Sequence, residues 1–309
     1  MTESDATVDR IENTCVERDN IIRGLLFNRT VNVIAVSGRE IVETAREIHG
    51  TSRVCTAALG RMLLAVSMMS AQLKSETDSI TATIAGGGPA GNITVVGHMG
   101  GIVKGCITNP EVELPLNEFG KLDVSGAVGG SGELRVIRDL SLREPYVGRC
   151  ELIDGEIADD FANYFYTSEQ QPSLVSLGVL VNGDVVLKAG GLLVQPMPGC
   201  EEETIEQLEL RSPMFADISR EMTEAPKEQL LEDWFRGMKP VVLDRTLLRY
   251  HCGCSRARME KALISLGRKE LQTIIDEDTG AELGCHFCHQ QYHFTTEELK
   301  QLLEKATRE

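Results

Sequence analysis

Cys252-Gly253-Cys254 and Cys285-His286-Phe287-Cys288 are two close pairs of cysteines in the last fifth of a chain of 309 residues. Thirty residues separate the pairs, which is enough for a helix that brings the second pair back to the first. Four thiolates can surround one Zn²⁺ as a tetrahedron, and two close pairs with such an insert are typical of this site. The first pair is tighter than the knuckle of a common zinc ribbon. We therefore predict a zinc site formed by Cys252, Cys254, Cys285 and Cys288.

The sequence around these cysteines predicts a small domain. Residues 255–266 are predicted as a helix, Leu271 begins a short element, and a hairpin after Gly280 carries the second cysteine pair. Thr295 and Glu298 have the spacing of a capping box, which begins a final helix. Structural zinc contributes about 10–16 kcal/mol in small peptides near neutral pH. Because so small a unit buries little apolar surface, we expect metal binding to dominate its folding.

The beginning of the chain predicts a strand followed by two helices. Apolar and polar side chains alternate over residues 29–36, and residues 40–49 have helical spacing before a glycine. Residues 51–74 form the most strongly helical stretch. This stretch is also the most apolar one, but it contains Arg61 and Gln72. We predict a buried helix rather than a membrane span.

Residues 79–194 have the character of strands. Asn182-Gly183 predicts a tight hairpin turn, and residues 157–167 predict one inserted helix. Strands in runs, with the helices kept apart from them, favour an α+β fold with a glycine-rich mixed sheet. The short β-branched runs that predict strands are residues 80–84, 93–96, 101–107, 132–138 and 179–187.

Residues 201–238 are polar and amphipathic, and Pro213, Pro226 and Gly237 interrupt them. We predict a helical linker of several short segments whose apolar side chains must be covered. These side chains are Leu208, Leu210, Phe215, Ile218, Leu230, Leu231, Trp234 and Phe235. The predicted organisation is an α+β core domain (residues 1–195), a helical linker (196–244) and a zinc-binding redox-switch domain (245–309).

The charge of the chain is uneven. The net charge is −16, and residues 245–309 contain ten basic and ten acidic side chains, so the acidic excess precedes them. An acidic body repels phosphates, and we expect neither a nucleic-acid nor a membrane partner. Residues 1–20 are polar and do not resemble a secretory signal. Nine cysteines without such a signal favour a reducing, cytoplasmic location.

Several motifs have a simpler interpretation. Gly86–Gly91 satisfies GxGxxG, but a strand follows it, so we predict a turn there and another over 126–132. The CxxCH pattern at Cys285 is also the signature of haem attachment, which needs export and leaves the first cysteine pair unexplained. Four histidines flank the thiols and are predicted to be surface residues or neighbours of the site rather than ligands. Five isolated cysteines are predicted to be packing residues. The histidines are His251, His286, His289 and His293, and the cysteines are Cys15, Cys55, Cys106, Cys150 and Cys200.

The chain resembles the 33 kDa chaperonins, bacterial holdases that oxidation switches on. The resemblance rests on HCGCSRARMEKALISLG (251–267), on IIDEDTGAELGCHFCHQQYHF (274–294), and on the segments FANYFYTSEQQPS (161–173) and GGLLVQPMPG (190–199). It covers nearly the whole chain, and the four cysteines match without departure.

The resemblance implies that Cys252, Cys254, Cys285 and Cys288 bind one Zn²⁺ per chain in a reduced, inactive protein. Oxidation would then form the disulfides Cys252–Cys254 and Cys285–Cys288, release zinc and unfold the tail and linker. It also implies that the oxidised protein, usually a homodimer, holds unfolding client proteins without ATP. Zinc-bound thiolates are nucleophiles for hypochlorous acid or peroxide, which supports this mechanism on chemical grounds.

Two alternatives remain open at this point. One is an enzyme in the α+β body with a purely structural zinc tail. However, the sequence offers no pairing of a nucleophile with a base and no phosphate loop, so we expect no catalytic residues. The other is a zinc-dependent adaptor for nucleic acid or protein, and the charge distribution argues against nucleic acid.

Overall fold

The computed structural model describes residues 19–221, 227–277 and 280–305. The chain divides into two compact units, residues 1–251 and 252–309. The linker and residues 245–251 thus belong to the first unit by compactness. The division into a core domain, a linker and a zinc-binding domain stays a prediction about function.

The first unit contains eleven strands within the described residues. Five form an antiparallel sheet, here the five-stranded sheet, in the order β10-β1-β2-β9-β8, and six form a second sheet in the order β11-β5-β4-β3-β6-β7. Only β11 and β5 run parallel among these described pairs, so the second sheet is mixed. The strands are β1 Asn20–Leu26, β2 Val31–Ser37, β3 Ser79–Ala85, β4 Ile93–His98, β5 Ile102–Ile107, β6 Glu133–Asp139, β7 Tyr146–Glu151, β8 Leu174–Asn182, β9 Val185–Pro196, β10 Val241–Leu247 and β11 Arg249–Tyr250.

The helices follow groups of mainly antiparallel strands rather than alternating with parallel ones, which confirms the predicted α+β class. Two 3₁₀ turns, Phe27–Arg29 and Ser212–Phe215, complete the described regular elements of the first unit. Its helices are α1 Arg39–His49, α2 Arg53–Ser70, α3 Val124–Val128, α4 Ala158–Ser168, α5 Glu202–Arg211, α6 Ile218–Glu221 and α7 Lys227–Trp234.

Helix α2 is the centre of the main core. Sixteen of its eighteen residues are buried, and it packs against both sheets of the unit. Its length and apolar composition would also allow it to cross a membrane, but here it is enclosed by protein. Ser52 caps its N-terminus by accepting a hydrogen bond from the backbone N–H of Cys55 over 3.3 Å. The predicted buried helix is confirmed, four residues shorter at its C-terminal end.

Two predicted turns have different outcomes. Gly86–Gly91 connects the antiparallel strands β3 and β4, as expected of a turn rather than a nucleotide site. The second prediction is partly wrong, because α3 continues to Val128 before the chain turns at Gly129. Asp123 caps this short helix by accepting a hydrogen bond from the Gly126 N–H over 2.9 Å. The helix was not predicted from the sequence because this stretch of the chain is rich in glycine.

The hairpin of β8 and β9 is confirmed close to its predicted turn. Asn182 pairs with Val185, so Gly183 and Asp184 form the two-residue connection. Gly183 has a φ of 57°, a left-handed conformation that glycine adopts without steric cost.

The linker helices cover one face of the five-stranded sheet, which we call the linker face. Strand β2 alternates, so that Val31 and Val33 point to the linker face, whereas Ile34 and Val36 point to α2. Of the linker residues predicted to need cover, Leu210 is the exception, because it is 81% exposed. The remaining ones lie in the cluster of Ile22, Leu26, Val31, Val33, Ala35, Leu192, Val194, Leu208, Phe215, Ile218, Leu230, Leu231, Trp234, Phe235 and Met238.

The second unit contains three helices and one hairpin within its described residues. Its predicted elements are all present, and Thr295 and Glu298 form the predicted capping box, with N–H bonds of 2.9 and 3.3 Å to each other's side chains. Six apolar side chains are buried in its small core. The elements are α8 Arg256–Ser265, α9 Arg268–Asp276, β12 Ala281–Gly284, β13 Gln291–Phe294 and α10 Thr296–Lys305.

Candidate metal centre

The first cysteine pair lies in irregular chain directly before α8. Ser255 begins that helix by accepting a hydrogen bond from the backbone N–H of Arg258 over 3.4 Å. Gly253, between Cys252 and Cys254, has no atom closer than 3.9 Å to the position of an added Cβ. The helix cap therefore fixes where the loop ends, and the loop itself is not crowded.

The second pair lies in the turn between β12 and β13. The backbone carbonyl of Cys285 accepts hydrogen bonds from the N–H groups of Cys288, over 3.4 Å, and His289, over 2.8 Å. The N–H of Cys285 donates to the carbonyl of Gln290 over 3.0 Å. His289 has a φ of 58°, which closes the turn. This knuckle places both thiols on the same side of the hairpin.

The fold brings the four sulfurs together. All four lie within 4.8 Å of one another, with separations of 3.6 Å between Cys252 and Cys285 and 3.4 Å between Cys254 and Cys288. A tetrahedron with Zn–S bonds of about 2.3 Å has edges of about 3.8 Å. The donor set, four soft thiolates, suits Zn²⁺ better than a hard cation. The residues thus fit the predicted ion.

The geometry leaves the choice of disulfides open. The two shortest sulfur separations join the pairs to each other, rather than Cys252 to Cys254 or Cys285 to Cys288. Since these are also the edges expected of a metal site, they do not determine the oxidised form. None of the cysteines in the described residues is part of a disulfide. The predicted disulfides Cys252–Cys254 and Cys285–Cys288 stay predictions.

The phenol of Tyr292 donates a hydrogen bond to Sγ of Cys254 over 3.1 Å. Burial raises the pKa of the Cys254 thiol, but the hydrogen bonds from Tyr292 and from the other cysteines outweigh burial and lower this pKa to about 7. Burial raises the pKa of Cys288 to about 12. The bond to Cys254 raises the pKa of Tyr292 to about 12, so the phenol keeps its proton and remains a donor. The thiolate form is therefore favoured at Cys254 and disfavoured at Cys288.

Arg256 ties the elements around the site. Its guanidinium donates to the carbonyl of His293 over 2.8 Å and to the carboxylate of Glu298 over 2.6 Å. The same group lies 4.2 Å from the centre of the Phe294 ring. One side chain from α8 therefore holds the end of the hairpin and the cap of α10. The sequence offered no signal for this role, because the three partners are about 40 residues away.

The other cysteines and the histidines lie outside the cluster. The metal-competent group among the described residues contains no histidine, and His293 lies 3.8 Å from Glu282 at the surface. Cys55 and Cys150 are buried in the body, and burial raises the pKa of both thiols, that of Cys150 to about 11. These thiols are suited to packing. Cys106 and Cys200 are partly exposed, and Cys15 lies outside the described residues.

The comparisons with known proteins point to the same family over nearly the whole chain. The model of the Hsp33 protein family matches residues 19–295. The 33 kDa chaperonin of Ruminiclostridium cellulolyticum is 45% identical over 288 residues, which cover 93% of this chain and 98% of that protein. The 33 kDa chaperonin of Bacillus subtilis is 42% identical over 292 residues, covering 94% and 100%.

A crystal structure of the 33 kDa chaperonin (heat shock protein 33 homolog) of Thermotoga maritima matches the fold. The TM-score is 0.85 at 38% sequence identity, and the match covers 95% of this chain and 100% of that one. Family model, sequence identity and fold agree over both units. The chain therefore belongs to the Hsp33 family of 33 kDa chaperonins.

Proposed function

We propose that this protein is a redox-regulated holdase that binds unfolding proteins under oxidative stress, without ATP, and prevents their aggregation. Membership of a chaperonin family and the cluster of four thiols support the proposal. In the reduced protein, Cys252, Cys254, Cys285 and Cys288 hold one Zn²⁺, and the protein is inactive. The ion supplies no catalysis when bound, because four protein ligands leave no position for water or substrate.

Oxidation would convert the four thiolates into the disulfides Cys252–Cys254 and Cys285–Cys288. Each disulfide removes two ligands, so the metal leaves. The second unit buries six apolar side chains in its core, which is too few to keep it folded alone. Loss of a metal contribution of about 10–16 kcal/mol would then unfold it. Between α7 and Cys252 the chain forms β10 and β11, so release of these strands from β1 and β5 would carry the change to the linker helices.

One observation carries the proposal. The linker is the cover of an apolar sheet face, and the linker face beneath it consists of buried aliphatic side chains. Phe215 lies 5.7 Å from Trp234 and 5.5 Å from Phe235, ring centre to ring centre, at the middle of this cover. Departure of the linker would expose both the sheet face and the aromatic cluster. A large contiguous apolar surface is what an unfolding client binds.

The proposal also covers the location, the partners, the oligomeric state and the functional parts of the protein. We infer a cytoplasmic protein with no enzymatic activity, nucleic-acid partner or membrane partner, which forms a homodimer when oxidised. We infer that the chain works as three parts, the core (1–195), the linker (196–244) and the redox switch (245–309). The structure adds that β10 pairs with β1, so the end of the linker forms an edge strand of the body.

The test compares two forms of the full-length protein. Light scattering follows a thermally unfolding client enzyme in the presence of reduced, zinc-loaded protein or of peroxide-treated, zinc-depleted protein. We expect suppression of aggregation by the oxidised form alone, with loss of one zinc and four thiols per chain. A variant with Cys106→Ser and Cys200→Ser, which removes the two partly exposed cysteines outside the cluster, controls for thiols lost elsewhere. Equal suppression by both forms would remove the redox switch.

A further inference from the structure

A hydrogen bond from Tyr292 joins the hairpin that carries the second cysteine pair to the first pair. It lies on β13, the return strand of the hairpin that carries Cys285 and Cys288. Its hydroxyl donates to Sγ of Cys254, in the other pair, over 3.1 Å. The contact is thus a link across the site in addition to the proposed shared ion.

The position of the phenol is set by elements other than its hydroxyl. Tyr292 pairs with Leu283 in the hairpin, and alternation along β13 places Tyr292 on the same side as the buried Phe294. Its ring packs against the small core of the second unit. Phenylalanine would make the same ring contacts, so a Tyr292→Phe variant removes the hydrogen bond and little else.

A hydrogen bond to a thiolate has two effects. It fixes the direction of the sulfur lone pairs, which orients a metal ligand. It also stabilises the negative charge on sulfur, because a charged acceptor forms a stronger bond than a neutral one. The electron pair that would attack an oxidant is therefore held more tightly.

We propose that Tyr292 is a positioning residue that holds Cys254 in metal-binding geometry and slows its oxidation. This inference rests on the proposed redox function. With hydrogen peroxide, a thiolate sulfur donates an electron pair to one oxygen, the O–O bond breaks and hydroxide leaves, forming a sulfenic acid. A second thiolate attacks that sulfur, the S–S bond forms and a second hydroxide leaves. Two electrons pass to peroxide, and two solvent protons convert both hydroxides to water.

Residue-resolved oxidation kinetics test the proposal. Zinc-loaded wild-type, Tyr292→Phe and Tyr166→Phe proteins are treated with peroxide, alkylated at intervals and analysed by mass spectrometry, with Cys288 as the internal reference. Tyr166 is exposed on the body, so its variant is the same chemical change far along the chain from the cysteines. Competition with a chromophoric chelator measures zinc affinity in each protein.

We expect Cys254 to oxidise roughly three- to tenfold faster in Tyr292→Phe than in the wild type, since a hydrogen bond to a charged group is lost. Cys288 should accelerate less than Cys254, because it shares the weakened metal site but loses no hydrogen bond from Tyr292. Zinc affinity should fall by roughly tenfold, as for other outer partners of metal ligands. The Tyr166→Phe protein should match the wild type in every measurement.

Two results would overturn the role of Tyr292: an unchanged rate at Cys254, or equal acceleration of Cys254 and Cys288, which indicates a general loosening of the domain. Failure of the proposed function is a separate outcome, in which the wild type binds no zinc. The metal-free proteins are then compared at a pH at which Cys254 is ionised in both, because the hydroxyl also lowers the pKa of this thiol. Under that condition the rate at Cys254 decides whether the hydroxyl protects the sulfur.

Discussion

The two faces of the five-stranded sheet are both buried, but their covers differ. Helix α2 covers one face and is itself buried at sixteen of eighteen positions, because both sheets surround it. The linker covers the other face with short helices whose outer sides are exposed and largely charged. Leu208 in α5 is buried, for example, whereas Leu210 is 81% exposed.

This difference shows that a segment can be buried in the folded protein and still be able to detach from it. A helix enclosed between two sheets cannot leave without opening the core, so its loss is global unfolding. A cover that packs on one side only can detach while the sheet and α2 stay folded. The same strands can therefore support a stable core on one face and a releasable cover on the other.

Loss of the metal should have the largest effect, about 10 kcal/mol or more on the second unit. In Cys285→Ser protein we expect amides of 256–276 and 296–305 to exchange rapidly with deuterium, while those of α2 stay protected. Hydrogen-exchange mass spectrometry measures both. Cys200→Ser, at a linker cysteine outside the cluster of four, is the control and should leave both regions unchanged. Protected C-terminal amides in the metal-free protein would contradict the role of the ion.

Truncation of one buried side chain on each face of the sheet should have the second-largest effect. Leu63→Ala, within α2, is expected to cost about 2–5 kcal/mol, and Phe235→Ala, in the linker cover, about 3–5 kcal/mol. Both side chains are at most 1% exposed. Leu63→Ala should lower the melting temperature of the body. Phe235→Ala should instead increase binding of an apolar dye by the reduced protein, with the main transition kept. A common loss of the main transition would show that the two covers unfold together.

A single methyl group on each face gives a finer comparison. A Cβ at Gly178 would lie 2.7 Å from the backbone nitrogen of Ser219 in the linker, so Gly178→Ala should displace α6 at a cost of about 1–3 kcal/mol. A Cβ at Gly191 would lie 3.1 Å from the ends of the Leu177 and Met68 side chains and 3.2 Å from the backbone oxygen of Ser176, and none of these three atoms belongs to the linker. Dye binding by reduced Gly178→Ala, but not by Gly191→Ala, is the expected result. Equal dye binding by the two variants would refute the assignment of faces.

The smallest effect concerns Asp19, which lies next to the first turn of α1. Its carboxylate accepts a hydrogen bond from Ile41 N–H at the start of α1 over 2.7 Å, and burial raises its pKa from 3.8 to about 7. Above pH 4 the unfolded chain loses this proton while the folded chain keeps it, so stability falls as pH rises. Between pH 6 and 8 the loss should be about 1.4 kcal/mol.

Denaturant titrations at several pH values measure this loss. Asp19→Asn keeps an oxygen acceptor for Ile41 N–H and removes the titration. Its stability should therefore vary less between pH 6 and 8 than that of the wild type. An identical pH profile for the two proteins would assign the dependence to other groups.

The sequence predicted the parts of the molecule that depend on local pattern. The metal-competent cysteines followed from spacing, and α1, α2, α4 and α8 from helical periodicity with Gly50, Ser52 and Ser255 at their ends. Strands β1, β7, β10 and β11 were missed. The sequence of β1, NIIRGLL, lacks clean alternation, and β10 is an exposed edge strand whose pairing with β1 joins residues more than two hundred positions apart.

The amino-acid sequence by itself determined four thiols at ligand spacing, an apolar helix that must be buried, and an amphipathic linker that needs a cover, because each depends on neighbours within a few turns. Only the tertiary structure decided which sheet face the linker covers, that Arg256 ties the hairpin to α10, and that Tyr292 reaches Cys254. These contacts join residues 37 or more positions apart. No local periodicity encodes such pairs, since they arise when separate elements pack together.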